Sequence, residues 1–153
     1  YPSYPKARAF DGNEATEWLS SQLGASVNGN AYIGLAFGDN QKVALIRILR
    51  VGSTGSYDVS SIKVQRSDDG VSWEDVKQFD GIVTTSTGND RWLELSGFEA
   101  SGKYIVIRAN SATGDNSWAL YEVEMYGGEP DAQRCSCVYV PVILSTMPAA
   151  LTR

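Results

Sequence analysis

The chain has 153 residues, of which 42% are hydrophobic and 20% charged, a composition typical of a folded domain that excludes wholesale disorder. Thirteen Lys and Arg against 18 Asp and Glu give a net charge of −5, which disfavours nucleic acid and anionic membrane surfaces as partners. Histidine is absent, so the commonest general base and the commonest zinc ligand are both missing.

Short segments rich in β-branched and aromatic residues recur along the chain between clusters of turn residues. The one helix-like stretch covers 13–20 and precedes them. Strands are predicted at 32–37, 42–51, 61–66, 73–79, 91–95, 103–109 and 119–126. Residues 38–40 are expected to end the first of these strands, and Asp69-Gly70 to supply the hairpin turn after the third. Strands about ten residues apart without intervening helices predict an all-β fold, an antiparallel jelly-roll β-sandwich.

The C-terminal part of the chain differs from the rest in composition. Residues 127–131 have the composition of a linker, so we expect the sandwich to occupy 1–128 and a linker with an extended tail to occupy 129–153. The tail carries an uncharged, β-branched stretch that a finished sandwich does not need. Such a strand either folds back on its own domain or is donated to the sheet edge of another chain, and both interpretations remain open.

Cys135 and Cys137 are the two cysteines of the chain, and both lie in this tail. Cysteines two residues apart bridge each other only with strain, because their side chains point in opposite directions in an extended chain. They are therefore either free buried thiols or intermolecular disulfides formed in an oxidising compartment.

No catalytic constellation is present in the sequence. Residues 97–104 approach a phosphate-binding P-loop, but Tyr104 stands where that loop needs Ser or Thr. A serine or cysteine triad of the usual kind needs histidine. We therefore expect a protein that is not an enzyme.

The opening segment carries oxygen donors at close spacing. Asp11, Asn13 and Thr16 follow one another closely, and Gly12 permits a tight turn that lets backbone carbonyls converge. Calcium prefers roughly six to eight oxygen ligands, so the pattern indicates a cation site, although Asp-Gly-Asn is also an ordinary turn. The spacing excludes an EF-hand, because Thr16 occupies the loop position where that motif needs glycine.

Several motifs, taken in this order, resemble the coagulation factor V/VIII type C domains, also called discoidin domains, and the related carbohydrate-binding modules of family 32. The likeness runs from about Arg8 to Gly127 and is carried by 9–13, 16–18, 32–38, 62–73, 103–108 and 118–127. The resemblance implies a galactose-binding-like jelly roll of two antiparallel sheets, which agrees with the fold predicted from the strands.

The resemblance also implies one structural Ca²⁺ ion. Carried over by position, its ligands are the carboxylates of Asp11 and Glu122, the Thr16 hydroxyl, and the backbone carbonyls of Arg8, Asn13, Thr16 and Tyr121. A link from Asp11 to Glu122 would join the two ends of the domain. The alternative is that both acids only accept hydrogen bonds from backbone amides.

The resemblance further implies a secreted or cell-surface protein. Such a protein would bind or adhere to carbohydrate or a glycosylated surface without catalysing a reaction. The four tryptophans match framework positions, which leaves Tyr57 as the candidate ring platform. Candidate hydrogen-bonding partners for a sugar are Arg91, Asn110 and Asn116, and plain solvated loops are the alternative. The loops carry no exposed apolar spike, so membrane insertion is not expected.

A second hypothesis assigns the chain a structural role. In it, the 129–153 tail assembles an extracellular homo-oligomer or filament by strand pairing, by disulfides of Cys135 and Cys137, or by both. A head-to-tail contact that does not close propagates as a fibre.

Overall fold

A computed structural model describes residues 3–51, 57–83 and 91–127, which form two antiparallel four-stranded sheets. The strands are β1 (Trp18–Leu19), β2 (Tyr32–Val43), β3 (Leu45–Arg50), β4 (Val59–Ser67), β5 (Glu74–Phe79), β6 (Trp92–Leu95), β7 (Ala100–Ala112) and β8 (Ala119–Tyr126). Short 3₁₀ helices at Lys6–Phe10 and Gly24–Val27 lie before and after β1.

The two sheets enclose one hydrophobic core to which both contribute. One sheet has the strand order β1-β8-β3-β6 and the other β2-β7-β4-β5, and the neighbouring strands are antiparallel. Alternate side chains of a strand point inward, as at Ile46 and Ile48 of β3 and at Ile105 and Ile107 of β7, all of them buried. The predicted antiparallel β-sandwich is therefore confirmed.

The helix expected over 13–20 does not form. Side-chain oxygens of Asp11 and Asn13 accept hydrogen bonds from the backbone amides of Asn13 and Ala15, two residues further on, as in Asx turns. The chain then enters β1 at Trp18, where its backbone pairs with β8. This stretch consequently consists of turns followed by a short strand.

β2 is longer than the sequence predicts, because residues 38–40 do not end it. An irregularity lies between Ala36 and Gln41, where the pairing with β7 shifts register. Beyond it, β2 continues to Val43, which pairs with Ala100 at the start of β7. A pairing partner thus extends the strand through residues that would otherwise favour a turn.

The hairpin predicted around Asp69-Gly70 is confirmed between β4 and β5. Gly70 has a φ of 75°, a backbone conformation that favours glycine. Asp69 Oδ1 accepts hydrogen bonds from the Val71 and Ser72 amides at 2.8 and 2.7 Å, and from the Ser67 hydroxyl at 2.9 Å. The Asp69 carboxylate therefore organises the turn.

β8 ends at Tyr126, close to the last described residue. The predicted boundary at 128, the 129–153 tail, Cys135 and Cys137 lie outside the described residues. These predictions, and the filament hypothesis that depends on them, stay predictions. Within the described ranges, no helix is long and apolar enough to cross a membrane.

Candidate functional site

The segment after the first 3₁₀ helix folds around the Asp11 carboxylate. Asp11 Oδ1 accepts a hydrogen bond from the Asn13 amide at 2.9 Å, and Oδ2 accepts one from the Thr16 hydroxyl at 2.7 Å. The Asn13 carbonyl accepts hydrogen bonds from the Thr16 amide and hydroxyl, both at 3.1 Å. The structure therefore gathers the oxygens of Asp11, Asn13 and Thr16 into one small loop, as the sequence predicts.

Glu122 of β8 lies against this loop. The Gly12 amide donates a hydrogen bond of 2.9 Å to Glu122 Oε2, and Gly12 has the positive φ, 70°, that the turn requires. The predicted proximity of Asp11 and Glu122 is thus present. Each carboxylate accepts a backbone amide, which is also what the alternative without a cation expects.

The Glu122 carboxyl group sits in an environment that opposes its negative charge. Glu122 is only 4% exposed, and burial is the main cause that raises its pKa to about 7. The nearby carboxylates of Asp11 and Glu124 raise the pKa further, whereas the Gly12 hydrogen bond lowers it. A cation placed beside Glu122 would remove this penalty.

The donor set suits a hard cation. Among the described residues, no Lys or Arg forms an ion pair with Asp11 or Glu122. The same residues hold no group of three or more His, Cys, Asp or Glu side chains that could hold a metal ion, so neutral oxygens would have to complete any cation site. Two carboxylates surrounded by neutral oxygens match the preference of Ca²⁺. Of the remaining predicted ligands, Arg8 lies in the 3₁₀ helix that packs against β8, and Tyr121 precedes Glu122 on that strand.

Loops 20–31, 57–58, 80–83 and 112–118 meet at one end of the sandwich, which we call the loop end. The Gly24 amide donates to the Asn116 carbonyl at 3.2 Å, and the Thr113 amide donates to the Asp58 carbonyl at 3.2 Å. Arg50 Nη1 reaches across to the Val83 carbonyl at 2.7 Å. These contacts join segments that are far apart in the chain into one surface.

The predicted ligand-binding residues all lie at or next to the loop end. The Tyr57 carbonyl accepts a hydrogen bond from the Ala119 amide at the start of β8, at 2.9 Å, and Tyr57 is half-buried. Asn110 Nδ2 donates to the Ser61 hydroxyl at 3.2 Å. Within the described residues, no hydrogen bond joins Tyr57, Arg91, Asn110 and Asn116 to one another. They share a surface without forming a connected cluster.

Of the four predicted ligand-binding residues, Arg91 has the best-defined side-chain contacts. Its guanidinium group lies over the Tyr121 ring, 4.9 Å from the centroid, and its Nε donates to the Arg50 carbonyl at 3.3 Å. A planar ring and a backbone oxygen together fix the orientation of the guanidinium plane.

Two features of the loop end were missed by sequence reasoning. The first is the buried ion pair between Arg50 Nη1 and Asp58 Oδ2, at 3.5 Å. Burial raises the pKa of Asp58, while the Val59 amide and the Arg50 charge oppose that rise. No sequence signal identifies this pair, because eight positions and a loop separate its members.

The second missed feature is exposed apolar surface. Leu23 is 51% exposed and Val83 is 75% exposed, so the loop end does carry apolar side chains in solvent. The premise on which the sequence excluded membrane insertion is therefore wrong, and the absence of insertion stays a prediction. Leu23 was visible in the sequence, but its exposure depends on how the 20–31 loop packs.

Comparisons with known proteins agree with this fold. The family model described as the F5/8 type C domain matches residues 1–123. No curated protein matches the chain. Three similar solved structures are a chitosan-binding module 2 from a Paenibacillus sp. IK-5 chitosanase/glucanase in complex with chitotriose, a pectin-binding carbohydrate-binding module, and CBM32-1 from a Clostridium perfringens family 31 glycoside hydrolase.

Each of these structures covers most of the chain at low sequence identity. The chitosan-binding module is 23% identical with a TM-score of 0.61, and the match covers 83% of this chain and 89% of that chain. The pectin-binding module is 19% identical with a TM-score of 0.62, and the match covers 84% of this chain and 84% of that chain. CBM32-1 is 18% identical with a TM-score of 0.65, and the match covers 82% of this chain and 87% of that chain. At these identities the structures establish the fold, and the resemblance found in the sequence is confirmed.

Proposed function

Because this chain belongs to the F5/8 type C domain family, we propose that it is a non-catalytic, extracellular module that binds carbohydrate at its loop end. The observation that carries the proposal is the convergence of four loops onto one surface where polar groups are held in place. Similar structures described as binding chitotriose or pectin support the class of ligand.

Sugar recognition needs an aromatic face and a small number of positioned hydrogen-bonding groups. Pyranose CH groups pack on a ring, and hydroxyl groups pair with fixed donors and acceptors. Tyr57 supplies the candidate ring at the loop end, and Arg91, Asn110 and Asn116 supply the polar groups. Binding of this kind leaves the glycan chemically unchanged.

We also propose that a structural Ca²⁺ ion binds between the Asp11 loop and Glu122. The support is a buried carboxyl group with a second carboxylate beside it and with no described cationic partner. Its ligands would be the carboxylates of Asp11 and Glu122, the Thr16 hydroxyl, and the carbonyls of Arg8, Asn13, Thr16 and Tyr121. When bound, the ion supplies positive charge that neutralises the two carboxylates. The opening loop would then be held to the last strand by the ion as well as by the Gly12 hydrogen bond.

A glycan array followed by calorimetric titration of the retained sugars tests carbohydrate binding. Tyr57→Ala is expected to weaken binding about tenfold, a typical loss for a stacking ring. Tyr126→Ala is the matched control, because it removes the same side chain at the opposite end of β8. Circular dichroism should show that both variants fold.

Two results would overturn the proposal. One is the absence of any retained glycan at high protein concentration. The other is an equal loss of affinity in Tyr57→Ala and Tyr126→Ala, which would place the sugar away from the loop end.

A further inference from the structure

Arg91 presents a fixed guanidinium group whose terminal nitrogens are unused. Its Nε donates to the Arg50 carbonyl, and its plane rests on the Tyr121 ring. Within the described part of the chain, neither terminal amino group of Arg91 donates a hydrogen bond or forms an ion pair. The side chain is therefore oriented in advance, with two N–H donors available on one edge.

Three of the other described arginines are paired with acids, whereas Arg8 and Arg108 form no ion pair with a described acid. Ion pairs join Arg47 to Glu94 and Glu124, Arg50 to Asp58, and Arg66 to Asp68 and Glu74. No described Asp or Glu lies within ion-pair distance of Arg91. Among the described residues, Arg91 therefore carries a positive charge beside the loop end without a paired acid.

The geometry of the Arg91 guanidinium group determines which chemical groups it binds best. The two terminal N–H groups of a guanidinium lie parallel in one plane, and they match two oxygens of a single carboxylate or sulfate group. A sugar hydroxyl uses only one of these donors and carries no charge. An amino sugar in its cationic form is repelled by Arg91.

We propose that the glycan recognised at the loop end is anionic, and that Arg91 binds its carboxylate or sulfate group. This inference rests on the proposed function, since it names the class of sugar that the same surface binds. The aromatic ring behind the guanidinium keeps water from one face of Arg91, which strengthens its interaction with an anion.

Calorimetric titration with trigalacturonate and with its methyl ester tests the inference, because the ester keeps the sugar chain and removes the charge. The acid is expected to bind about tenfold more tightly than the ester, and its affinity should fall as salt is added. A sulfated galactose oligosaccharide and its desulfated form, titrated in the same way, show whether sulfate is the natural anion.

Variants at Arg91 test whether this residue causes the preference for the anionic sugar. Arg91→Gln should lose about tenfold in affinity for the anionic sugar, and Arg91→Lys should lose less, since it keeps the charge without the paired donors. Lys103→Gln is the control, because it removes one positive charge from the exposed side of β7 at the end away from Asn110. Arg91→Lys also keeps the test valid if Arg91→Gln fails to fold.

The outcomes separate this inference from the proposed function. Equal affinity for acid and ester, or tighter binding of a cationic chito-oligosaccharide, overturns the anionic assignment and leaves carbohydrate binding intact. An unchanged affinity in Arg91→Gln also overturns it. If no sugar of any charge binds, the proposed function fails and the inference fails with it.

Discussion

The Gly12 amide and the Glu122 carboxylate are joined by a hydrogen bond of 2.9 Å across a sequence separation of 110 residues. This contact closes the opening loop onto the last strand and brings the Asp11 and Glu122 carboxylates close enough for their charges to interact. Two like charges where the opening loop meets β8 make this junction sensitive to pH, and a cation bound there would stabilise it.

Calcium is expected to raise the melting temperature of the protein, and a chelator is expected to lower it. The proposed ion would bind the folded state and would relieve the repulsion between Asp11 and Glu122. Differential scanning calorimetry with added calcium or chelator measures the shift. Asp11→Ala should abolish the shift, whereas Asp39→Ala, which removes an exposed acid of β2, should keep it. The same melting temperature with calcium and with chelator would contradict the prediction.

In the calcium-free protein, stability is expected to fall as pH rises from about 4.5 to 7. The pKa of Glu122 is raised from 4.5 to about 7 in the folded state, mainly by burial. Between these values the unfolded chain releases the Glu122 proton and the folded protein retains it, so increasing pH favours unfolding. Urea denaturation in chelator across this pH range measures the slope.

Glu122→Gln should reduce that slope, because the amide does not titrate, and Asp58, whose pKa burial also raises, would account for a slope that remains. Asp69, Asp75 and Asp80 have pKa values lowered from 3.8 by hydrogen bonds, so they contribute stability changes only at more acidic pH. A wild-type urea midpoint that stays constant from pH 4.5 to 7 would contradict the raised pKa of Glu122.

Gly34→Ala is expected to destabilise the protein by about 3 kcal/mol, at the upper end of the cost of overpacking. A methyl group at Gly34 would clash with the Ile105 carbonyl and would lie 2.6 Å from Val106 Cα, and backbone atoms of β7 cannot move aside cheaply. Gly38→Ala, in the same strand, is the control, because nothing lies within 4 Å of the added carbon. Chemical denaturation that gave equal losses for both variants would contradict this account.

Asp69→Ala is expected to lower the urea midpoint more than Asp68→Ala does. Asp69 organises the β4–β5 turn, and hydrogen bonds from the Ser72 and Val71 amides lower its pKa to about 2. Because the folded pKa is depressed, the stabilisation is present above about pH 3.8 and is lost as pH falls toward 2. The difference between wild type and Asp69→Ala should shrink over that range, and a constant difference would rule out the carboxylate as its cause.

The strands were predictable where their sequence pattern is local. Ile62 and Val64 alternate with polar residues in β4, and both are buried as that alternation requires. The helix expected over 13–20 was wrong, because the chain forms turns there and enters β1 at Trp18, whose backbone pairs with β8. The continuation of β2 beyond Gly38 was missed, since it depends on pairing with β7.

The candidate site, too, was predictable from the sequence only in part. Resemblance of short motifs predicted that Asp11 and Glu122 lie close together, and in the structure the amide of the neighbouring Gly12 donates a hydrogen bond to Glu122. The Arg50–Asp58 ion pair and the Arg91–Tyr121 stack have no counterpart in any short motif. Each depends on how strands and loops are arranged in space.

From the order of its residues alone, this chain can be assigned to an all-β sandwich, because alternation and turn chemistry act between neighbours in sequence. The cation site in its opening loop stays a prediction. Which side chains share the loop end, how the Arg91 guanidinium group is held and which carboxyl group resists ionisation follow only from the folded arrangement. Charge, burial and ring contacts depend on distance in space, and strand pairing brings together groups that the chain itself keeps far apart.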